Sequence, residues 1–147
     1  MSSDKTRRAA TVAEDLRKVI GRLKRRFREQ SRVGDLSWSQ LSLLSRLERE
    51  GPSTVTAIAR AEGVRPQSMG ATMAGLEASG LVESMPDPND GRQTLWSVTL
   101  KCREIVLAAR AARQDWLLAA IQKKFSPSEQ EDLAHAVTLL ERIVAEN

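Results

Sequence analysis

Cysteine and histidine are scarce in this chain, which limits the chemistry that it can support. The sequence contains one Cys and one His among 147 residues. A single cysteine excludes an intramolecular disulfide and a cysteine-based zinc site. No set of Cys, Asp or Glu around His135 has metal-ligand spacing, so we expect a solvated or packed side chain there and neither metal nor cofactor. The chain also lacks a nucleophile elbow, a phosphate-binding glycine loop and an HExxH pair, so we expect no enzyme.

Aromatic residues and long apolar runs are also rare. Aromatics make up 3% of the sequence, with no Tyr, so the core has to be aliphatic and packed from helices. No apolar run approaches the roughly 20 residues that a membrane span needs. The first eight residues contain no apolar stretch of the kind found in a secretory signal. These features predict a cytoplasmic protein without a membrane partner.

Positive charge is concentrated near the start of the sequence. The net charge is +4, but residues 1–34 alone contain 11 Lys and Arg against 4 Asp and Glu. The densest cluster, Arg22 to Arg28, lies opposite an apolar stripe with helical spacing that runs from Val12 to Phe27. We therefore interpret the cluster as a solvated helix face that adds long-range attraction to DNA, with direct phosphate contact as the alternative.

Turn and capping signals divide the chain into six helices and one hairpin. Ser37 and Gln40, like Ser126 and Glu129, have the spacing of a capping box at a helix start. Thr99 has the position of a further cap, before a long alanine-rich helix. The predicted helices cover about residues 10–31, 37–50, 54–61, 66–80, 100–124 and 126–146, with strands on either side of 86–94.

The third and fourth helices form a candidate helix-turn-helix. Gly63 lies where the turn between them needs a residue without Cβ. Met69, Met73 and Leu76 form the inward stripe of the fourth helix, and its outer face is small and polar. An ordinary amphipathic helix is the alternative, but Gly70 and Gly75 each lower helix propensity by about 1 kcal/mol relative to Ala. The outer face therefore predicts a DNA-recognition helix, whose candidate contact residues are Arg65, Pro66, Gln67, Ser68, Gly70 and Ala71.

The hairpin tip after this helix presents one arginine. The segment Pro86-Asp87-Pro88-Asn89-Asp90-Gly91-Arg92 is rich in residues that favour turns. An exposed loop arginine is most often only solvated. Here Asp87 or Asp90 is placed to fix the guanidinium by an ion pair, and a rigid Arg92 suits the DNA minor groove. A hairpin after a short helical pair predicts a winged helix-turn-helix.

The sequence resembles the MarR family of bacterial transcriptional regulators. The resemblance rests on Leu36-Ser37 with Gln40 and Leu44, on Val64 to Met69, and on Leu76-Glu77 followed by Gly80-Leu81-Val82. The wing motif Asp87 to Arg92 and Thr99 complete it, so the resemblance spans essentially the whole chain. It implies a mainly α fold in which a winged helix-turn-helix lobe, about residues 35–99, hangs below a helical dimerisation region, about residues 8–33 and 100–147.

The same resemblance implies a homodimer that binds a pseudo-palindromic operator in double-stranded DNA, and release by a small aromatic or anionic effector or by an oxidant. The apolar residues on several faces of the long alanine-rich helix independently favour a dimer. Phe27 and Trp38 are candidate walls of an effector pocket, although core or dimer packing is the alternative for Trp38. Cys102, in the first turn of that helix, is a weak candidate for oxidant sensing. A repressor is the expected function, and a winged-helix protein–protein adaptor without DNA affinity is the alternative.

Overall fold

Six α-helices and one two-stranded hairpin make up residues 1–146, the part of the chain that the computed structural model describes. Asn147, the last residue of the predicted dimerisation segment 100–147, lies outside the described residues. In chain order the elements are α1 (Ser2–Gln30), α2 (Trp38–Glu50), α3 (Val55–Glu62), α4 (Pro66–Ala78), β1 (Val82–Pro86), β2 (Thr94–Val98), α5 (Leu100–Lys124) and α6 (Pro127–Val144).

The predicted caps hold the starts of the helices. The Ser37 hydroxyl accepts a hydrogen bond from the Gln40 amide at 3.1 Å, and the Gln40 side chain accepts one from the Ser37 amide at 3.0 Å. Ser126 forms the same reciprocal box at the start of α6, and Thr54 caps α3. These bonds satisfy amides that have no partner inside a helix, so local sequence fixes where the helices begin.

The predicted start of the first helix is wrong. α1 begins at Ser2 and not near Ala10, because its first turns are polar and carry no apolar periodicity that a sequence pattern would detect. α4 and α6 end at Ala78 and Val144, each within two residues of the predicted end. Neither α1 nor α6 contains a buried residue within the protomer, whereas α2 contains five.

The core lies in the winged lobe. The side chains that are almost completely buried come from α2, α3, α4, the start of β1 and the first half of α5; the largest are Leu44, Met73, Val82, Val106 and Cys102. Met69, Met73 and Leu76 turn one side of α4 into this core, as the sequence predicts. The fold is therefore a mainly α winged helix-turn-helix whose N- and C-terminal helices extend away from the buried centre.

Thr99 joins the winged lobe to α5. Its hydroxyl donates a hydrogen bond to the Gly80 carbonyl at 2.8 Å and accepts one from the Cys102 amide at 3.2 Å. Its own amide donates to the Leu81 carbonyl at 3.1 Å. One residue thus connects the end of α4, the start of the wing and the first turn of α5.

Candidate DNA-binding surface

The outer face of α4 is exposed to solvent and carries mostly small side chains. Arg65 is the N-cap residue and Pro66 the first helical residue, where the missing amide hydrogen costs nothing. Gln67 and Ser68 are exposed in the first turn. With 100° per residue, Gln67 and Ala71 point away from the buried methionine side of the helix. A partner can therefore approach α4 from this side without disturbing the core.

Gly70 and Gly75 have no packing role inside the protomer. A Cβ built at either position meets no heavy atom of residues 1–146 within 4 Å, apart from nearby helix backbone. Each glycine lowers helix propensity by about 1 kcal/mol relative to alanine, and the protomer gains no close contact in return. The two glycines leave the helix backbone accessible on both flanks of the outer face.

α3 and a tight turn hold α4 in place. Gly63 has φ +68°, a left-handed conformation that a residue with Cβ adopts reluctantly. The Val64 amide donates to the Ala59 carbonyl at 3.0 Å and closes the turn. Ala59 is completely buried, and its small side chain lets the two helices approach. The pair has the geometry of a helix-turn-helix.

The wing projects Arg92, but not through the predicted ion pair. The strands pair from Val82 opposite Val98 to Pro86 opposite Thr94. The Asp90 carboxylate accepts a hydrogen bond from the Arg92 amide at 3.1 Å, and the Asp87 carboxylate accepts one from the Asn89 amide at 2.9 Å.

The predicted salt bridge between Arg92 and Asp87 or Asp90 is therefore wrong. Among residues 1–146, no ion pair involves Arg92, Asp87 or Asp90. Both aspartates order the loop backbone, because a short carboxylate reaches an amide two residues ahead more easily than a mobile guanidinium. Arg92 is exposed, and its guanidinium remains available to an external anion.

A groove that sequence reasoning missed lies beside the wing. It has a volume of about 410 Å³ and lies between the start of α3 and the loop end of the hairpin, where its polar lining is Thr54, Thr56, Arg60, Gln93 and Thr94. The spacing of Thr56 and Arg60, four residues apart, is a sequence signal for one shared helix face. Their proximity to Gln93 depends on the tertiary fold, so the sequence alone gave no sign of it.

The predicted effector residues lie in different surroundings. The Phe27 ring packs edge-on against Trp116, with 5.7 Å between the ring centroids. Trp38 instead lines a cavity of about 320 Å³ together with Arg25, Arg28 and Arg32. Phe27 and Trp38 therefore do not form one pocket wall. The expectation that both face a common effector site is corrected for Phe27.

Trp38 is surrounded by positive charge. The guanidinium carbons of Arg28 and Arg113 each lie 5.7 Å from its ring centroid, within cation–π range. Burial lowers the pKa of Arg113, and the nearby charges of Arg110 and Arg49 lower it further. Like charges gathered around one aromatic ring favour the binding of an anion there.

Cys102 is not a reactive thiol. Its side chain is completely buried in the core. Burial raises the pKa of the thiol to about 11, so the position at a helix start does not activate it. The hypothesis of oxidant sensing through Cys102 is therefore wrong.

His135 is exposed on α6. No helix in residues 1–146 combines the length and apolar character needed to cross a membrane.

Comparison with known proteins identifies the family. Residues 36–94 match the family model described as the MarR family. A helix-turn-helix transcriptional regulator of Mycobacterium bovis is 41% identical over 138 residues, which are 94% of this chain and 96% of the relative. A Pseudomonas aeruginosa protein described as a transcriptional regulator has a crystal structure with a TM-score of 0.83 at 30% identity, covering 95% of this chain and 98% of that one.

A MarR family protein from Bacillus stearothermophilus supports the fold, with a TM-score of 0.82 at 21% identity over 95% of this chain and 97% of that one. These relatives and this fold belong to transcriptional regulators and not to enzymes. The helix-turn-helix, the wing and the sequence matches agree. The chain belongs to the MarR family of winged helix-turn-helix, DNA-binding transcriptional regulators.

Proposed function

We propose that this regulator is a repressor that binds a pseudo-palindromic operator as a homodimer and is released by a small aromatic or anionic effector. The observation that carries the DNA-binding part is the open outer face of α4 beside an exposed wing arginine. The sign of regulation and the release by an effector follow from the family resemblance. A DNA-binding regulator also has to work in the compartment that contains the DNA, which supports a cytoplasmic location.

The outer face of α4 enters the major groove in this proposal. Gln67 is long enough to bond an adenine edge in bidentate fashion, and Arg65 can bond guanine or a phosphate. Ser68 is placed for a phosphate oxygen. Pro66 fixes the start of the helix, and the small Gly70 and Ala71 allow the backbone to approach the bases.

The wing enters the adjacent minor groove. Negative potential is strongest where that groove is narrow, and an arginine inserted there is stabilised by it. Asp87 and Asp90 support this contact by ordering the loop backbone that carries Arg92. Their carboxylates are occupied by amide hydrogen bonds, which reduces their repulsion of the DNA phosphates.

The helices outside the winged lobe supply the dimer interface. Large apolar side chains on α1, α5 and α6 stay exposed in the protomer, among them Val19, Ile20, Leu118, Val137 and Ile143. Pairing of these helices about a two-fold axis covers such side chains, and this is the commonest closed arrangement of a soluble oligomer. The same symmetry places two recognition helices on two half-sites about one helical turn apart.

The Trp38 cavity is the proposed effector site. Its three arginines outnumber the single carboxylate of Glu29 and suit an anionic group, and the indole supplies an apolar surface for an aromatic ring. The cavity lies between α1 and the start of α2, where the extended helices meet the winged lobe. An effector that binds one angle between these parts better than the other shifts the population between DNA-competent and released forms.

A selection from fragments of genomic DNA, followed by mobility-shift titration at two salt concentrations, tests the proposal. We expect a specific duplex whose affinity falls steeply with salt, because phosphate contacts release counterions. Transcription in vitro from that fragment should fall when the protein is added. Failure to select any duplex, or binding that does not depend on salt, would contradict DNA recognition; a rise in transcription would contradict repression.

A further inference from the structure

The polar groove between α3 and the wing has no role in the contacts proposed so far. Its polar lining consists of hydroxyl, amide and guanidinium groups, Val55 and Ala57 supply the apolar part, and none of its lining residues is acidic. Thr56 and Arg60 lie on one exposed face of α3, and they are faced by Gln93 at the end of the wing loop and Thr94 at the start of β2. A concave site with several donors and a single positive charge suits an anion.

The two walls of the groove are rigidly connected. The Ser53 amide donates to the Trp96 carbonyl at 3.0 Å, and the Trp96 amide donates to the Ser53 carbonyl at 2.8 Å. This isolated antiparallel bridge ties the residue before the α3 cap to the middle of β2. The Gln93 backbone is also fixed, since its amide donates to the Asp90 carbonyl and its carbonyl accepts from the Asp87 amide. The groove therefore keeps its shape without a ligand.

The donors in the groove are available. Among residues 1–146, the Arg60 guanidinium takes part in none of the ion pairs, and the side chains of Thr56, Gln93 and Thr94 take part in none of the side-chain hydrogen bonds. Arg46, by contrast, pairs with Glu62 at 2.8 Å. Of these arginines on neighbouring helices, one is committed to the fold and the other is exposed at the groove.

We propose that this groove binds one phosphate of the DNA backbone in each half-site, with Arg60 and Gln93 as the principal donors. The inference rests on the proposed function: α4 lies in a major groove and Arg92 in the neighbouring minor groove. The sugar–phosphate backbone separates those two grooves, and the polar groove lies between α3, which packs on α4, and the wing. A phosphate contact there fixes the register of the protein on the duplex and carries no sequence information.

Arg60→Ala tests the groove against a matched control, Arg142→Ala on the exposed surface of α6. Each dimer loses two contacts, so the slope of log affinity against log salt should fall by about two. Between 50 and 200 mM salt, the wild type should then lose about tenfold more affinity than Arg60→Ala. The loss at low salt should be similar for operator and unrelated duplexes, and Arg142→Ala should behave as the wild type.

Neutral methylphosphonate groups, scanned along the operator backbone, locate the contact. At one phosphate per half-site, the substitution should weaken wild-type binding by about tenfold and leave Arg60→Ala unaffected. Independent effects of Arg60→Ala and of every methylphosphonate would overturn the inference. The inference would also be overturned if inorganic phosphate released the duplex at constant ionic strength while no methylphosphonate weakened binding. The groove would then bind free phosphate and not a phosphate of the DNA backbone.

These outcomes separate the inference from the proposed function. If the wild type selects no duplex at all, the proposed function is wrong and the groove has no DNA phosphate to bind. If the wild type binds an operator and Arg60→Ala keeps its affinity and salt slope, only the groove assignment is wrong. Thermal unfolding of Arg60→Ala should match the wild type, because this exposed side chain makes no ion pair in residues 1–146.

Discussion

Alanine at Gly70 and Gly75 should make the protein more stable and a weaker DNA binder. Neither new Cβ meets a heavy atom of residues 1–146 within 4 Å outside the nearby helix backbone, so no steric cost offsets the gain in helix propensity. Each substitution should add about 0.5–1 kcal/mol to the free energy of unfolding. The double variant should then unfold about 2–8 °C higher than the wild type at equal protomer concentration.

The effect on DNA should have the opposite sign. Two methyl groups added to a helix that packs against base edges overfill the interface, at a cost of about 1–3 kcal/mol. That cost corresponds to about five- to 150-fold in operator affinity for each half-site. Calorimetry gives the stability, and a mobility-shift titration gives the affinity on the same preparation.

Gly21→Ala is the matched control. Gly21 lies inside α1, its Cβ also meets nothing within 4 Å in the described chain, and it lies off the apolar stripe of that helix. It should stabilise the protein by a similar amount and leave operator affinity unchanged. Unchanged affinity in Gly70→Ala and Gly75→Ala would refute the close approach of α4 to DNA, and a loss of stability would refute the open space around the two glycines.

Four further results are expected. Arg92→Ala should weaken operator binding and leave the melting temperature nearly unchanged, and a large fall in melting temperature would show that Arg92 is structural. Because burial raises the pKa of Cys102 to about 11, its contribution to the free energy of unfolding is fully present below pH about 9.0 and is lost as pH rises through about 11. Urea titrations across that range should show this pH dependence in the wild type, and Cys102→Ala should lack it. Sedimentation equilibrium should give twice the protomer mass, and a monomer at micromolar concentration would contradict the dimer. Aromatic carboxylic acids should release the operator and quench Trp fluorescence, and Trp38→Ala should abolish the release; release that survives this substitution would place the effector elsewhere.

Local chemistry explains what the sequence predicted well. The caps at Ser37, Thr99 and Ser126 depend on side chains and amides three residues apart, so the spacing alone specifies the hydrogen bonds. The left-handed turn at Gly63 and the buried methionine stripe of α4 follow from backbone sterics and helical periodicity in the same way.

Contacts between distant segments explain what the sequence did not predict. Cys102 is in a first helical turn, but packing of the whole lobe buries it and reverses the expected shift of its pKa. The ring of Phe27 packs against Trp116, which is distant in sequence, so of the two predicted effector residues only Trp38 lines the cavity beside α1. Arg60 and Gln93 form one groove only because the Ser53 bridge aligns α3 with β2.

The hydrogen bonds of Thr99 connect the first turn of α5 directly to the winged lobe. Because one side chain holds both the end of α4 and the first turn of α5, a change in the direction of α5 displaces the recognition helix and the wing by the same movement. In the proposed dimer, the spacing between the two α4 helices and the spacing between the two Arg92 tips then change together. An effector that turns α5 would thus weaken the major-groove and minor-groove contacts in a single step, and neither contact would persist after the other is lost.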